Sequence, residues 1–473
     1  MKLSEPVFET RQHGHGAGLP LLKSLWEFFD FSLVCSRGGL QKHAGPTGWM
    51  MAFAYVAGLA STASSTNDMT KKFAVSPILQ EILPWVPTQS GMSRFFAKPF
   101  NWLAVGVERF AMLQAREESR LLEGDLIALD DTKIDHPYGR KIPLLFRLFD
   151  AAEKRYTICM NLLAMVAVRE NKLEYPLFWR FWQRDDLTKI ELAEEMFLSL
   201  RQHCSKRLWV AMDRWFLCKE FFLWLEKHDF DWVTKAKRNT AFYKSTWDSF
   251  TGRQRFVPIS AMDLIRDVWP FLQGMSISKQ ETVSIALCNI YAKFPTPVPG
   301  KRKATVIKQV MRPLAVIAVK PLSPPAESDE ETTYRGVFLL ISNRLDAPDQ
   351  VVESYAKRWR IEVFFRNAKQ ELGLANCQAR NENAHFAHVE MLFFAETLIS
   401  YSRWLIIEEG AESVPSHREM IRSVFNALCR IECFEQSIQV HFGTEAMVYA
   451  SLIQKCWPTE VRLGLWNIYP SSA

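Results

Sequence analysis

The chain has 473 residues, of which 48% are hydrophobic and 13% aromatic. This composition excludes an intrinsically disordered protein, and the length is sufficient for several structural modules. The net charge of +6 permits a polyanionic partner, but an excess of this size is equally typical of an ordinary basic enzyme. The nine cysteines include no C-x-x-C pair, so we expect reduced thiols in a cytoplasmic protein and no structural zinc site.

Residues 1–120 have the periodicity and the Pro and Gly punctuation of a series of helices. Residues 1–16 contain no apolar run, so we expect no signal peptide there. The apolar stretches 49–60 and 391–407 are too short for a bilayer or are interrupted by charged residues. We therefore predict that both are buried helices, and we expect no membrane partner.

Between residues 121 and 237 the pattern changes to short apolar runs that alternate with helical segments. These runs predict five strands and two helices: strands at 124–132, 157–168, 175–182, 207–212 and 231–237, and helices at 189–203 and 219–227. In chain order these elements are three strands, a helix, a strand, a helix and a strand. This is the order of elements in the ribonuclease H-like fold. The predicted fold class is therefore α+β or α/β, with a mixed sheet covered by helices.

The rest of the chain divides into three further regions. Residues 238–345 contain several β-type runs and predict a β-rich insertion, with a basic loop formed by Lys301, Arg302 and Lys303. Helical periodicity resumes at residue 349, so 346–410 is predicted to complete the core. It continues nearly to the C-terminus, and 411–473 is predicted to be a helical region that mediates dimerisation.

Two acidic residues follow predicted strands of the core. Asp131 comes after the run LIALD, in which Asp130 is the last residue, and Asp213 comes after RLWVAM. In a ribonuclease H-like sheet these two strands are neighbours, so both carboxylates would emerge side by side. Each aspartate taken alone is equally well explained as a turn or helix-capping residue.

The segment 355–369 concentrates charge on one side of a predicted helix. At about 100° per residue, five side chains fall within an arc of about 80°: Tyr355, Arg358, Glu362, Arg366 and Lys369. A solvated face with i,i+4 ion pairs is one interpretation. A row of cations one turn apart also suits contact with a phosphate backbone, and Glu362 would add a third carboxylate to the two aspartates.

This helix resembles the Y-x2-R-x3-E-x6-K signature of the DDE-class transposases of bacterial insertion sequences. Asp131-Thr132 and Asp213-Arg214 resemble the two aspartate motifs of that family. The resemblance implies a catalytic triad of Asp131, Asp213 and Glu362 that holds two Mg²⁺ ions, for which Mn²⁺ substitutes. It also implies DNA contacts by Tyr355, Arg358, Arg366, Lys369 and the basic loop Lys301, Arg302 and Lys303.

The resemblance further implies cut-and-paste transposition in a bacterial cytoplasm. The double-stranded DNA partners would be transposon terminal inverted repeats and target DNA, bound by a homodimer, with the N-terminal helices as a DNA-binding region. The sequence departs from the family where some members place a tryptophan in the last insertion strand, because Tyr334 is the nearest aromatic residue here. The alternatives are a ribonuclease H-like nuclease that cuts without joining and a catalytically silent DNA-binding descendant of a transposase.

Overall fold

The computed structural model describes residues 10–16, 18–83, 85–150, 154–274, 283–299, 305–320, 334, 336–410, 414–434, 437–442 and 466–470. The chain forms two compact units. Unit 1 comprises Met1–Leu121, Asp131–Cys204 and Val363–Ala473, and unit 2 comprises Leu122–Asp130 and Ser205–Glu362. Within the described ranges, no helix combines the length and the apolar character needed to cross a bilayer.

Unit 1 is mainly helical. Its helices, numbered in chain order over the whole protein, are α1 (Leu19–Phe28), α2 (Phe31–Arg37), α3 (Gly48–Ala60), α4 (Thr66–Val75), α5 (Pro77–Ile82), α6 (Gln89–Phe96), α7 (Trp102–Ala115), α8 (Lys189–Arg201), α13 (Glu382–Glu408) and α14 (His417–Glu419), the last followed by a π-helical turn, Met420–Phe425. Ser65, Thr88 and Asn101 cap α4, α6 and α7 by accepting hydrogen bonds from backbone amides of the first turn. The two apolar stretches predicted to be buried helices are α3 and part of α13, and both are largely buried.

Three antiparallel strands complete the core of unit 1: β3 (Phe146–Asp150), β4 (Arg155–Val168) and β5 (Glu174–Trp182), with β4 paired to both of the others. Cys159–Val168 of β4 is buried without interruption, which requires cover on both faces of the sheet. Helices α7, α8 and α13 pack against β5. Strand β2 (Leu126–Asp135) begins in unit 2 and ends in unit 1.

A second sheet of unit 1 joins the two ends of the chain. It consists of β1 (Thr10–His15), β15 (Leu428–Phe434), β16 (Ser437–Phe442) and β17 (Trp466–Pro470), in that order. The prediction of helix nearly to the C-terminus is therefore wrong for these segments. The sequence of β16, SIQVHF, alternates polar and apolar residues with a period of two, which favours a strand over a helix.

Unit 2 is built on a sheet with three parallel strands: the first part of β2, then β6 (Leu208–Met212) and β7 (Phe230–Lys235). Strands β14 (Phe338–Ser342), β13 (Ala315–Lys320) and β10 (Val283–Leu287) extend it antiparallel beyond β7. The helices are α9 (Lys219–Lys227), α11 (Pro348–Lys357), which packs against β6 and β7, and a short 3₁₀ turn at Arg214–Phe216. The predicted mixed α/β core is confirmed.

A second sheet of unit 2 has the order β12-β11-β8-β9. Its strands are β8 (Ala241–Asp248), β9 (Arg253–Ser260), β11 (Ile290–Pro299) and β12 (Thr305–Pro313), and helix α10 (Ala261–Gly274) follows β9. The predicted insertion, 238–345, thus supplies this sheet, one helix and the three strands that extend the core sheet. The helix was not predicted from the β-type runs of the sequence.

A buried histidine makes the stability of unit 1 depend on pH. Burial lowers the pKa of His388 from 6.5 to about 4. The Tyr55 hydroxyl lies 2.9 Å from Nδ1, and the Gly373 carbonyl lies 3.0 Å from Nε2, so a neutral ring that accepts at Nδ1 and donates at Nε2 satisfies both partners. In the unfolded chain the histidine binds a proton below about pH 6.5, whereas the folded chain does not. Stability is therefore lost as the pH falls from about 6.5 towards about 4.

We expect the melting temperature of the protein to fall between pH 7 and pH 5, and to fall less in a His388→Gln variant. Differential scanning fluorimetry of both proteins over this range measures the difference. His385 also has a pKa lowered by burial, so some dependence is expected to remain. Equal falls in the two proteins would contradict the assignment to His388.

Candidate active site

Two carboxylates lie side by side at the ends of neighbouring parallel strands of unit 2. Leu129 of β2 pairs with Met212 of β6, so Asp130 and Asp213 each follow the last paired residue. Adjacent strands are about 4.8 Å apart, and partners in a parallel pair face the same side of the sheet. Both aspartates are half-buried. The register therefore places Asp130, and not its neighbour Asp131, beside Asp213.

On the third parallel strand, β7, a lysine occupies the position next to these two aspartates. Met212 pairs with Thr234 of β7, so Lys235 occupies the position next to Asp213. Its ammonium lies 3.9 Å from the centre of the Phe338 ring and 5.6 Å from that of Tyr355. Burial lowers the pKa of Lys235, and the nearby Arg358 lowers it further, while Asp213 opposes the shift. The sequence alone does not single out this residue.

Arg358 forms hydrogen bonds to both Asp130 and Glu362. One Nη donates to Asp130 Oδ2 at 2.9 Å, and the other donates to Glu362 Oε1. Burial opposes the charge of Arg358, but Tyr355, Glu362 and Asp130 together raise its pKa above the usual value. The Glu362 side chain is 55% exposed, so this carboxylate reaches solvent even while it is paired.

Tyr355, on helix α11, places its ring beside Lys235 and Arg358. The side chain is buried, with 9% exposure, and its ring centre lies 5.6 Å from the Arg358 guanidinium carbon. Burial raises the pKa of Tyr355 to about 12, while Arg358 opposes the shift. The hydroxyl makes no hydrogen bond of ordinary geometry to any described residue, although Arg358 lies beside it. A buried hydroxyl in this state is available to a ligand.

The segment predicted as one helix is two helices. Helix α11 ends at Lys357 and α12 (Arg360–Gln370) begins after a turn at 358–359. The turn is closed by tight i→i+3 bonds, from the Arg358 amide to the Tyr355 carbonyl and from the Glu362 amide to the Trp359 carbonyl. Arg358 keeps right-handed helical angles, so the chain tightens at this point without unwinding. The prediction of one continuous helix is therefore wrong, although Arg358 and Glu362 stay paired across the turn.

Asp131 has different partners in unit 1. Its Oδ2 accepts a hydrogen bond of 2.6 Å from Asn161 Nδ2 and lies 2.9 Å from Lys189 Nζ. Consecutive residues of a strand point to opposite faces, so Asp130 and Asp131 differ in direction. The structure thus brings together Tyr355, Arg358, Glu362 and Asp213 of the predicted site residues. In unit 2 it adds Asp130 and Lys235 to them.

The remaining predicted DNA contacts lie elsewhere in the chain. Arg366 and Lys369 are exposed on α12, in the part that belongs to unit 1. The basic loop Lys301, Arg302 and Lys303 lies outside the described residues. Tyr334 packs edge to face on Trp269, with ring centres 5.6 Å apart.

The donor set of unit 2 matches the chemistry of a magnesium site. Mg²⁺ prefers oxygen ligands, and Asp130, Asp213 and Glu362 supply carboxylates. Within the described part of the chain, no three His, Cys, Asp or Glu side chains are grouped closely enough to hold an ion. Arg358 instead neutralises two of the carboxylates. The residues therefore fit Mg²⁺ in donor type, provided that Asp130 and Glu362 exchange the guanidinium for the ion.

Comparisons with known proteins place the chain in a family. No curated protein matches its sequence. Its structure is similar to a chain of the cryo-EM structure of the piggyBac transposase synaptic complex with hairpin DNA, with a TM-score of 0.41 and 12% identity over 88% of this chain and 82% of that one. The family model described as "Transposase DDE domain" matches residues 124–398, which include Asp130, Asp213 and Glu362. Because this match covers more than half of the chain, the protein belongs to the Transposase DDE domain family.

Proposed function

We propose that this protein is a cut-and-paste DNA transposase that cleaves the ends of an insertion sequence and joins the freed 3′-OH to target DNA. The observation that carries the proposal is the strand register of unit 2. It puts Asp130 beside Asp213, and Arg358 then connects Asp130 to Glu362. Carboxylates are the oxygen donors that a metal-dependent phosphodiester reaction requires, and the ion would replace Arg358 between Asp130 and Glu362.

We propose Asp130, Asp213 and Glu362 as the ligands of two Mg²⁺ ions, with Mn²⁺ as a substitute. Bound there, the metal would activate the attacking hydroxyl and stabilise the leaving 3′ oxygen. The sequence alone favours Asp131 as the first of these ligands. Its contacts with Asn161 and Lys189 favour a role in holding β2 against its neighbours in unit 1. Asp130 takes its place in the proposed triad.

The cations around the acids are proposed to bind the DNA backbone. Arg358 is paired with Asp130 at 2.9 Å, and Lys235 follows the strand residue that pairs with Met212. Both cations therefore adjoin the aspartates, where they would contact a bound scissile phosphate. The Tyr355 hydroxyl has an open hydrogen-bonding capacity in the same place. Arg366 and Lys369 are exposed on α12 and are proposed as further contacts to the DNA backbone. Arg358 then exchanges its carboxylate partners for a phosphate when DNA binds.

The DNA partners are proposed to be the terminal inverted repeats of the element and a target duplex. Two ends must be cut in one complex, so a homodimer on DNA is the minimum assembly. The protein is proposed to act in a bacterial cytoplasm.

The experiment that tests this function supplies the purified protein with Mg²⁺, a labelled duplex carrying the inverted repeat that flanks its gene, and a supercoiled target plasmid. Cleavage at the repeat and covalent joining to the plasmid are expected. Cleavage without joining would favour the nuclease alternative. Binding without cleavage in either Mg²⁺ or Mn²⁺ would favour the catalytically silent descendant.

A further inference from the structure

Two aromatic side chains of unit 2 hold the ammonium group of Lys235. This group lies 3.9 Å from the centre of the Phe338 ring and 5.6 Å from that of Tyr355. The two ring centres are 6.2 Å apart, and the ring planes are inclined by 49°. Both distances to the ammonium are within the range of cation–π attraction. Within the described ranges, Lys235 forms no ion pair or hydrogen bond, so the two rings are the groups that fix the position of its charge.

The strand register explains why Phe338 reaches Lys235. Leu340 of β14 pairs with Lys235 of β7, and the two strands are antiparallel. Phe338 lies two residues before Leu340 on β14, so its side chain is on the same face of the sheet. It is therefore a diagonal neighbour of Lys235, at a separation that an aromatic ring and a long side chain can bridge. Helix α11 packs on β7 and β14 and supplies Tyr355.

Tyr355 also contacts a second cation. Its ring centre lies 5.6 Å from the Lys235 ammonium and 5.6 Å from the Arg358 guanidinium carbon. Rings and cations therefore alternate in the order Phe338, Lys235, Tyr355 and Arg358. Burial lowers the pKa of Lys235, and Arg358 lowers it further, so the two cations are near enough to repel each other. The attraction of both cations to the Tyr355 ring offsets part of this repulsion.

We propose that Phe338 is a positioning residue, which holds the Lys235 ammonium beside Arg358 before DNA binds. A lysine side chain is flexible and loses conformational entropy when it is ordered. In the DNA-free protein the two rings have already ordered Lys235, so a backbone phosphate meets a preformed pair of cations, and this part of the cost of binding is avoided. The inference rests on the proposed function, in which Lys235 and Arg358 contact the scissile phosphate.

The arrangement is tested first without DNA, by NMR of the full-length protein after reductive ¹³C-methylation of its lysines, a modification that keeps their charge. A Lys235→Arg variant identifies the signal of Lys235. In the wild type this signal is expected upfield of the signals of solvent-exposed lysines, because protons above the face of an aromatic ring are shielded. In Phe338→Leu, which keeps an apolar side chain without a ring, the signal is expected to move downfield. In Phe338→Trp it is expected to stay shielded.

A double-mutant cycle then measures what the arrangement contributes to DNA binding. Gel-shift assays of a labelled element end compare the wild type, Phe338→Leu, Lys235→Met and the double variant, at equal concentrations of folded protein. Phe338→Leu is expected to weaken binding about 5-fold, the size of one cation–π contact. In the Lys235→Met background the same change is expected to have no effect, because the partner of the ring is gone. Phe256→Leu removes a half-buried ring from the second sheet of unit 2 and, as the matched control, is expected to bind normally.

Two results would overturn the inference. One is a Lys235 signal that lies among those of exposed lysines in the wild type, or that does not move in Phe338→Leu. The other is a loss of affinity from Phe338→Leu that is as large without Lys235 as with it, because Phe338 would then act on DNA or on folding by itself. A wild-type protein that neither binds nor cleaves element ends would contradict the proposed function, whereas the NMR signal would still show whether Phe338 holds Lys235.

Discussion

Asp213→Asn is expected to reduce the rate of DNA cleavage by about 10³-fold, the upper end of the loss when one transition-state-stabilising group is removed. This corresponds to about 4 kcal/mol of activation free energy. The amide keeps the size of the side chain but is a poor ligand for Mg²⁺. Asp213 lies between a fully buried strand and a 3₁₀ turn, so the backbone holds it in place independently of its charge.

The measurement is single-turnover cleavage of a labelled element end, with gel-shift assays of the same duplex as the control for binding. Binding by the variant is expected to stay close to that of the wild type, because the removed charge is negative. Glu362→Gln is expected to behave in the same way. Cleavage by Asp213→Asn at the wild-type rate would remove this residue from the active site.

Arg109→Met is expected to lower the free energy of unfolding of unit 1 by about 3–5 kcal/mol, the cost of leaving a buried charge without its partner. Arg109 is fully buried on α7, and its Nε donates to Glu390 Oε1 at 2.9 Å. Its two Nη groups donate to the carbonyls of Pro176 and Leu177 at 2.8 and 2.7 Å. The substitution leaves both carbonyls and the Glu390 carboxylate without these donors.

Urea denaturation followed by circular dichroism measures this loss. Arg116→Met is the matched control, because Arg116 pairs with Asp30 at 2.9 Å on the surface, where both side chains are at least one-third exposed. Its cost is expected to stay below about 1 kcal/mol. Adding Glu390→Gln to Arg109→Met is expected to recover part of the stability. A loss no larger for Arg109→Met than for Arg116→Met would contradict the structural role of the buried pair.

The sequence was a good guide to the core elements because their apolar runs are continuous. Residues 208–212 form a strand in which every residue is buried. A short, uninterrupted apolar run of this kind is typical of a strand covered on both faces. The predicted helix 219–227 has the bounds of α9. Strand β3 was missed because its sequence, FRLFD, is too short and mixed to produce a periodic signal.

Long-range pairing explains the error at the C-terminus. Strand β15 pairs with β1, which lies more than 400 residues earlier in the chain, and a local pattern carries no information about such a partner. The same limitation applies to the insertion. Nothing in the sequence of β13 or β14 distinguishes a strand that extends the core sheet from one that belongs to a separate domain.

The choice between Asp130 and Asp131 lay beyond the sequence for a specific reason. A shift of one residue along a strand reverses the direction of the side chain. Residues 126–129 before the two aspartates are all buried, so no polar and apolar alternation indicates which face each residue occupies. Lys235 was missed because a lysine at a strand end looks like an ordinary solvated residue until the register of β7 is known.

The most direct test of the proposed triad compares Asp130→Asn with Asp131→Asn in single-turnover cleavage of an element end, at equal concentrations of folded protein. Asp131→Asn weakens contacts with Asn161 and Lys189, so its folded fraction must be measured first. Asp130→Asn is expected to abolish cleavage while Asp131→Asn cleaves at a rate near the wild type. Abolished cleavage in Asp131→Asn together with near-normal cleavage in Asp130→Asn would contradict the assignment of Asp130, Asp213 and Glu362 as the catalytic carboxylates.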